Sequence, residues 1–438
     1  MKIRSFLMMM AFAGAPLLLS ACGGEKAIPL QGERLSVLEL QEDLIADDQD
    51  ALPAMELPDA WKNEFWPQVG GYPNHSMQNL ALGHELQPVW RTRIGKGGND
   101  DIPLMAQPIV VNGMVVTLDS SAYVRAFDVK DGSRVWEQGA GFKKDDDPVL
   151  TGGIAYGDQK IFMTNGYNEV YAMDYKTGKL LWQRNLPGPS QVAPTILDGR
   201  VYVLTIDNSL LAFATHDGAP LWEYSAVSEG TGVVGSAAPA ANREVVVAAF
   251  SSGEVTALRV ENGSSAWTEN LDTIGRFGGI GSIADIKAAP VIDKGLLVAM
   301  NYSGRMAAMD LRSGRRIWQR DIGGENMPWI AGESIFVVSS ENTLIAMNRK
   351  TGLIYWIKPL QNYMDPDDVD EIVHWHGPML AGDRLILVSS EGRVVEASPE
   401  TGDILSAWEV GRDVPVSPTI AGGRMYLISE DGMLRVYQ

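Results

Sequence analysis

The stretch Ala172-Met-Asp-Tyr-Lys-Thr-Gly178-Lys-Leu-Leu-Trp182 decides how this chain is read, because it recurs. The template is Ala, then Gly six residues on, then Trp four residues after the Gly. The same spacing appears at Ala126…Gly132…Trp136, Ala212…Gly218…Trp222, Ala257…Gly263…Trp267, Ala308…Gly314…Trp318 and Ala346…Gly352…Trp356. Tryptophans placed this way mark an internal repeat. A seventh copy is stretched, with Gly402 followed by Trp408 and with Ser406 at the template position. A slip of two residues keeps the side chain on the same face of a strand. Trp90, in Pro88-Val-Trp-Arg-Thr-Arg-Ile94, is an eighth such strand without its preceding half. From Trp90 to Trp408 the interval averages about 45 residues, which suits four short strands with their turns, one propeller blade.

The residues between these landmarks fit strands. Each template Gly follows Asp, Thr, Asn or Ser, the pairing of a tight hairpin where φ turns positive. Upstream lie β-branched or aromatic runs such as Arg200-Val-Tyr-Val-Leu-Thr205 and Ser334-Ile-Phe-Val-Val-Ser339. Farther upstream come strands led by Pro194, Pro239, Pro290, Pro378 and Pro418, and Pro suits a first strand position. The last repeat ends at Leu434-Arg-Val-Tyr-Gln438, before its Trp strand, and Pro88 to Ile94 would supply the missing strand from the other end. Joining the termini in one blade removes an open edge that invites aggregation. The expectation is an all-β, eight-bladed propeller over residues 85–438. The eight tryptophans, Trp90 to Trp408, read as wedges between blades, since eight equivalent positions cannot line one site.

Composition narrows the function. The chain has 438 residues and a net charge of −19, with 55 acidic against 36 basic residues. Phosphate recognition needs a basic footprint, so the acidic balance argues against a nucleic-acid binder. One cysteine excludes a disulfide framework, a Cys-based zinc site and a CxxCH haem attachment. Lys2 and Arg4 precede an uncharged run from Phe6 to Leu19, too short to span a bilayer, and then Leu19-Ser20-Ala21-Cys22. Residues 1–21 are expected to be a signal peptide. Residues 22–84, with an acidic run from Glu33 to Asp59, are expected to be a largely flexible tether. Trp61, Phe65 and Trp66 suggest that docking onto something folded begins before Trp90.

Two resemblances follow from these motifs. Leu19 to Cys22 resembles a bacterial lipobox, which implies lipidation of Cys22 and, with Gly23 next, an anchor on the periplasmic face of the outer membrane. The pattern Ala-x-Asp-x-x-Thr-Gly-x-x-x-Trp resembles the repeat of pyrroloquinoline-quinone-type propellers. With a lipobox and eight blades, the chain resembles the B-subunit family of the outer-membrane β-barrel assembly machinery. That resemblance implies a non-enzymatic scaffold without cofactor. Its partners would be the periplasmic domains of the central, BamA-like barrel subunit, and unfolded outer-membrane protein clients. It also implies docking loops at Glu229 to Ser236 and Arg276 to Ala289, with Val233, Val234, Arg276, Phe277, Asp285 and Lys287 as partner-binding candidates. Lys287 stands where the family has an acid, and Val234 where it often has Arg.

A quinoprotein dehydrogenase and a ligand-binding propeller of another envelope complex remain as alternatives. The first needs a quinone, calcium and a base, and the vicinal cysteine pair often used against the quinone cannot form from one cysteine. Asp145-Asp-Asp147 and the run from Asp365 to Glu371 lack the spacing of a calcium loop and read as solvated loops. His374 and His376 fall on one strand face but have no third ligand nearby in sequence, so no metal site is expected.

Overall fold

The computed structural model describes residues 44–99, 101–139, 150–227, 237–271, 286–365 and 368–438. The described residues form strands, with one 3₁₀ turn at Gln49–Ala51. Eight four-stranded antiparallel sheets follow one another along the chain. They are blades 1 to 7, at 109–139, 151–185, 195–225, 240–270, 291–320, 329–359 and 375–409, and blade 8, which takes 419–437 and the strand Pro88–Arg93. In blade 8 the first strand of the ring is outermost and pairs antiparallel with Met433–Tyr437, Trp90 opposite Val436. The eight-bladed, head-to-tail ring is thus as the repeat implies. One feature departs from the expectation: Tyr363–Asp365 and Asp368–Ile372 pair as a two-stranded ribbon between blades 6 and 7, where a solvated loop was expected.

Register explains the template. In blades 1 to 6 the template Ala lies directly opposite the template Trp on the two outer strands, as with Ala172 and Trp182, and a bulge follows at once. The bulge raises local twist and re-aims the Trp strand. Each indole then reaches the next blade. Nε1 of Trp90, Trp136, Trp182, Trp222, Trp267, Trp318 and Trp356 donates to the carbonyls of Val129, Tyr175, Thr215, Val260, Leu311, Arg349 and Pro399, at 2.7–3.1 Å. The ring lies on the turn glycine of that blade. A Cβ on Gly178 would come within 2.5 Å of Trp136, and its φ of +71° is a left-handed value that non-glycine residues rarely take. The same contact recurs from Gly132 to Gly402.

Trp408 is the exception, for a topological reason. Blade 8 takes its outermost strand from the N-terminal end, so no tight turn joins its third and fourth strands to receive an indole. Trp408 instead packs at a tilt against Tyr437, with ring centres 4.9 Å apart, and its Nε1 lies 3.4 Å from the Glu396 carboxylate. Glu396 faces Ser406, the pair that stands where the other blades have Ala and Trp. A buried ion pair with Arg384, 2.7 Å, neutralises Glu396.

Replacing Trp182, which is buried and seated, by Ala should cost about 3–5 kcal/mol in denaturant unfolding. Replacing half-buried Trp408 by Ala should cost less than half of that. Equal losses would show that the glycine-turn seat contributes little.

Candidate functional site

The compact unit begins at Ile45, not at residue 85. The sequence boundary between tether and propeller therefore moves, and the reason is a strap over residues 61–82. It has no strand period because successive residues meet successive blades. Asn63 bonds to Ile420 and Gly422 of blade 8, at 2.6 and 2.7 Å. Trp66 exchanges backbone bonds with Val110 of blade 1, and the Pro67 carbonyl accepts from Tyr156 N of blade 2. The Gln68 side-chain oxygen accepts from Ile196 N of blade 3 at 2.9 Å. The carbonyls of Pro73 and Asn74 accept from Ala241 N of blade 4 and Ile292 N of blade 5. Gln78 accepts from Trp329 Nε1 and Gly332 N of blade 6, and Leu80 pairs with Leu380 and Gly382 of blade 7. One circuit of the strap thus touches all eight blades in ring order, along or just past their innermost strands.

These bonds answer a need of the ring. The innermost strand of each blade has an unpaired inner edge, and buried backbone groups must find partners. Burial fixes the strap further: Trp66, Met77 and Leu80 are at most 1% exposed. Asp293 of blade 5 is held in a buried ion pair with Arg349 and accepts from Ser76 and Gln78 of the strap at 2.9 and 3.1 Å. His75, 2% exposed, donates from Nδ1 to the Pro290 carbonyl at 2.8 Å. Burial lowers its pKa to about 4, against the pull of that hydrogen bond.

Along the axis lies a cavity of about 330 Å³, lined by the residues that lead into the innermost strands of all eight blades. Trp66, Val69 and Gly70 of the strap also line this axial funnel. Most of the lining is apolar, with Met105, Met327 and Met379 prominent. Lys287, Glu325 and His376 supply the ionisable groups. His374 Nδ1 is 3.4 Å from Glu325, and this contact lowers the Glu325 pKa and raises that of His374. His376 is pushed down to about 4, chiefly by burial. Among the described residues no three His, Cys, Asp or Glu side chains are grouped to hold a metal, and no helix is long and apolar enough to cross a membrane.

Of the residues singled out in the sequence, the eight tryptophans are placed between blades as described, and Lys287 lines the funnel. Cys22, Asp145 to Asp147, Val233, Val234, Arg276, Phe277 and Asp285 lie outside the described residues. The segments holding Val233 and Asp285 lead into blades 4 and 5, and Ala238 and Lys287, just after them, line the funnel. Sequence reasoning missed the strap's circuit, Glu325 and Gln107. The clustered aromatics Trp61, Phe65 and Trp66 were the one available signal.

Comparison with known proteins places these features. A family model described as outer membrane protein assembly factor BamB matches residues 120–358, more than half of the chain. The assembly factor BamB of Moranella endobia is 24% identical over 354 residues, which cover 79% of this chain and 88% of that protein. The crystal structure of BamB from Moraxella catarrhalis superposes with a TM-score of 0.69 at 23% identity, covering 81% of this chain and all of that one. Quinohemoprotein alcohol dehydrogenase from Comamonas testosteroni superposes with a TM-score of 0.63 at 14% identity, covering 86% of this chain and 81% of that one. At such identities a structural likeness shows the fold alone.

Unfolded His75 titrates near pH 6.5, so between pH 6.5 and 4 the unfolded chain binds a proton that the folded chain refuses. Stability is therefore full above pH 6.5 and falls as pH drops towards 4, by up to about 1.4 kcal/mol per pH unit from this group. A His75→Gln chain should show a shallower fall in its urea midpoint across that window. An unchanged slope would remove His75 as the cause.

Proposed function

Since this chain belongs to the family described as outer membrane protein assembly factor BamB, we propose that it is a non-enzymatic scaffold of the outer-membrane protein assembly complex. It binds the periplasmic domains of the central barrel subunit and assists the folding and insertion of β-barrel proteins. The observation that carries this reading is that the family match runs through the repeats that build the ring. The chemistry agrees with it. The tryptophans are engaged between blades, the one cysteine precedes the ring, and the inner edges of the blades are occupied by the chain's own strap.

The docking rim is formed by the segments that lead into blades 4 and 5, with Val233, Val234, Arg276, Phe277 and Asp285 as contacts. Long connectors on a rigid ring suit recognition, because the scaffold holds them while their residues vary. The protein is anchored at the periplasmic face of the outer membrane by acyl chains on Cys22. Each buried CH₂ adds about 0.8 kcal/mol, so several chains hold far more firmly than one.

Mild detergent extraction followed by affinity capture should recover a large barrel protein with periplasmic repeats. Replacing Asp285, Val233 and Val234 together should weaken that capture several-fold without lowering the melting temperature; unchanged capture would place the docking rim elsewhere. Labelled fatty acid should appear on the wild-type chain, and a Cys22→Ser chain should accumulate unlabelled and uncleaved. Normal processing of that variant would refute the lipid anchor.

A further inference from the structure

We propose that the ribbon between blades 6 and 7 is a proton-operated latch. A proton on His374 fastens its base to Glu325, in the segment entering blade 6, and loss of that proton loosens the ribbon from the ring.

The ribbon is the element least held by packing. Its strands, Tyr363–Asp365 and Asp368–Ile372, pair only with each other and join none of the four-stranded blades. A two-stranded hairpin is marginal in water unless something packs against it. Here Met364 and Ile372 are 43% and 56% exposed, and the register shifts between Tyr363 and Asp365. With so little apolar burial, its opening depends on how its base is attached.

Few bonds make that base. Val373 N donates to the Asn362 carbonyl at 2.9 Å, and Asn342 Nδ2 of blade 6 donates to the Val373 carbonyl at 2.7 Å. His374 N donates to Ser390 Oγ of blade 7 at 3.1 Å, and Ser390 N donates back to the His374 carbonyl at 2.6 Å. All four join neutral groups and do not titrate near neutral pH. One tie does: the His374 imidazole, whose Nδ1 lies 3.4 Å from Glu325 Oε1. It joins the foot of the ribbon to the connector between blades 5 and 6.

The charges around this tie make it a switch. Glu325 raises the His374 pKa, against burial and the repulsion of Lys287. Glu325 is itself held below the usual carboxylate range, chiefly by His374 and with help from Lys287, so it stays ionised. His376, on the same strand, is pushed down to about 4 by burial and stays neutral. Glu371 of the ribbon acts instead on Glu391 of the adjoining turn. In this cluster His374 is therefore the group that changes charge near neutral pH. An unfolded histidine titrates near 6.5. Because the folded value is raised, the tie is complete below pH 6.5 and is lost as pH rises through the folded value. The His75 effect lies below 6.5 and has the opposite sign, so the two separate.

The test is hydrogen exchange of the full chain between pH 6 and 8.5, corrected for intrinsic rates, with His374 titrated in parallel by NMR. The amides of Tyr363, Ile372 and Val373 should be up to about fivefold better protected at pH 6 than at 8.5, the most that an exposed ion pair supplies. Glu325→Gln should lower the His374 pKa and leave protection at its high-pH level throughout. Lys287→Gln should raise that pKa and extend the protection to higher pH. The latch is overturned if wild-type protection does not vary, if it varies equally in Glu325→Gln, or if Lys287→Gln fails to extend it. Barrel capture does not enter these measurements, so their outcome stands apart from the scaffold reading.

Discussion

Seven of the eight blades are held by an indole laid across a turn of the next blade, and the rest of the architecture depends on that contact. The indole covers a glycine that has no Cβ to obstruct it and donates its one N–H to a carbonyl of the same turn, so a large apolar surface is buried without leaving a polar atom unmet. The Ala opposite the Trp and the bulge beside it serve the same contact, since a larger residue or a straight ladder would aim the ring elsewhere. Sequence spacing, strand register and blade packing are therefore three descriptions of one interaction, repeated seven times.

The boundary between blades 7 and 8 shows what happens where that interaction cannot be made. Because blade 8 is assembled from both ends of the chain, it has no turn to offer. Trp408 slips by two residues and packs against Tyr437, Glu396 and Ser406 take the places of the usual Ala and Trp, and Arg384 pairs with the buried Glu396. Arg384 also reaches the Gly83 carbonyl at 2.7 Å, which ties the end of the strap to this same blade. Removing one partner of such a pair leaves a buried charge, so the pair enforces geometry even where its net contribution is small. The strap makes the closure general: it adds a hydrogen-bonded contact to every blade at the axis, where the indoles, on the outer strands, cannot reach.

That division separates two surfaces. The indoles and outer strands hold the circumference, and the strap holds the hub and contributes to the wall of the axial funnel. The funnel-lining residues Ala238 and Lys287 stand just before the first strands of blades 4 and 5. A ring of this kind keeps its stability in strands and indole seats and leaves its connecting segments free to differ.

The sequence by itself determined the number of blades, the composite eighth blade, the role of the tryptophans and the family, because each rests on a short-range spacing repeated many times. Even the slip at Trp408 was visible as a spacing, although its cause was not. The strap was not legible. Its residues meet eight different strands, each at one or two positions, so burial along it follows no period, and its acidic neighbour from Glu33 to Asp59 resembles a solvated tether. The funnel was equally hidden: Trp66, Gln107, Lys287 and Glu325 are separated by up to 259 residues and gather only because the ring brings every blade to one axis. Local repetition encodes the ring, whereas the contents of its centre are set by closure, which no segment of the chain contains.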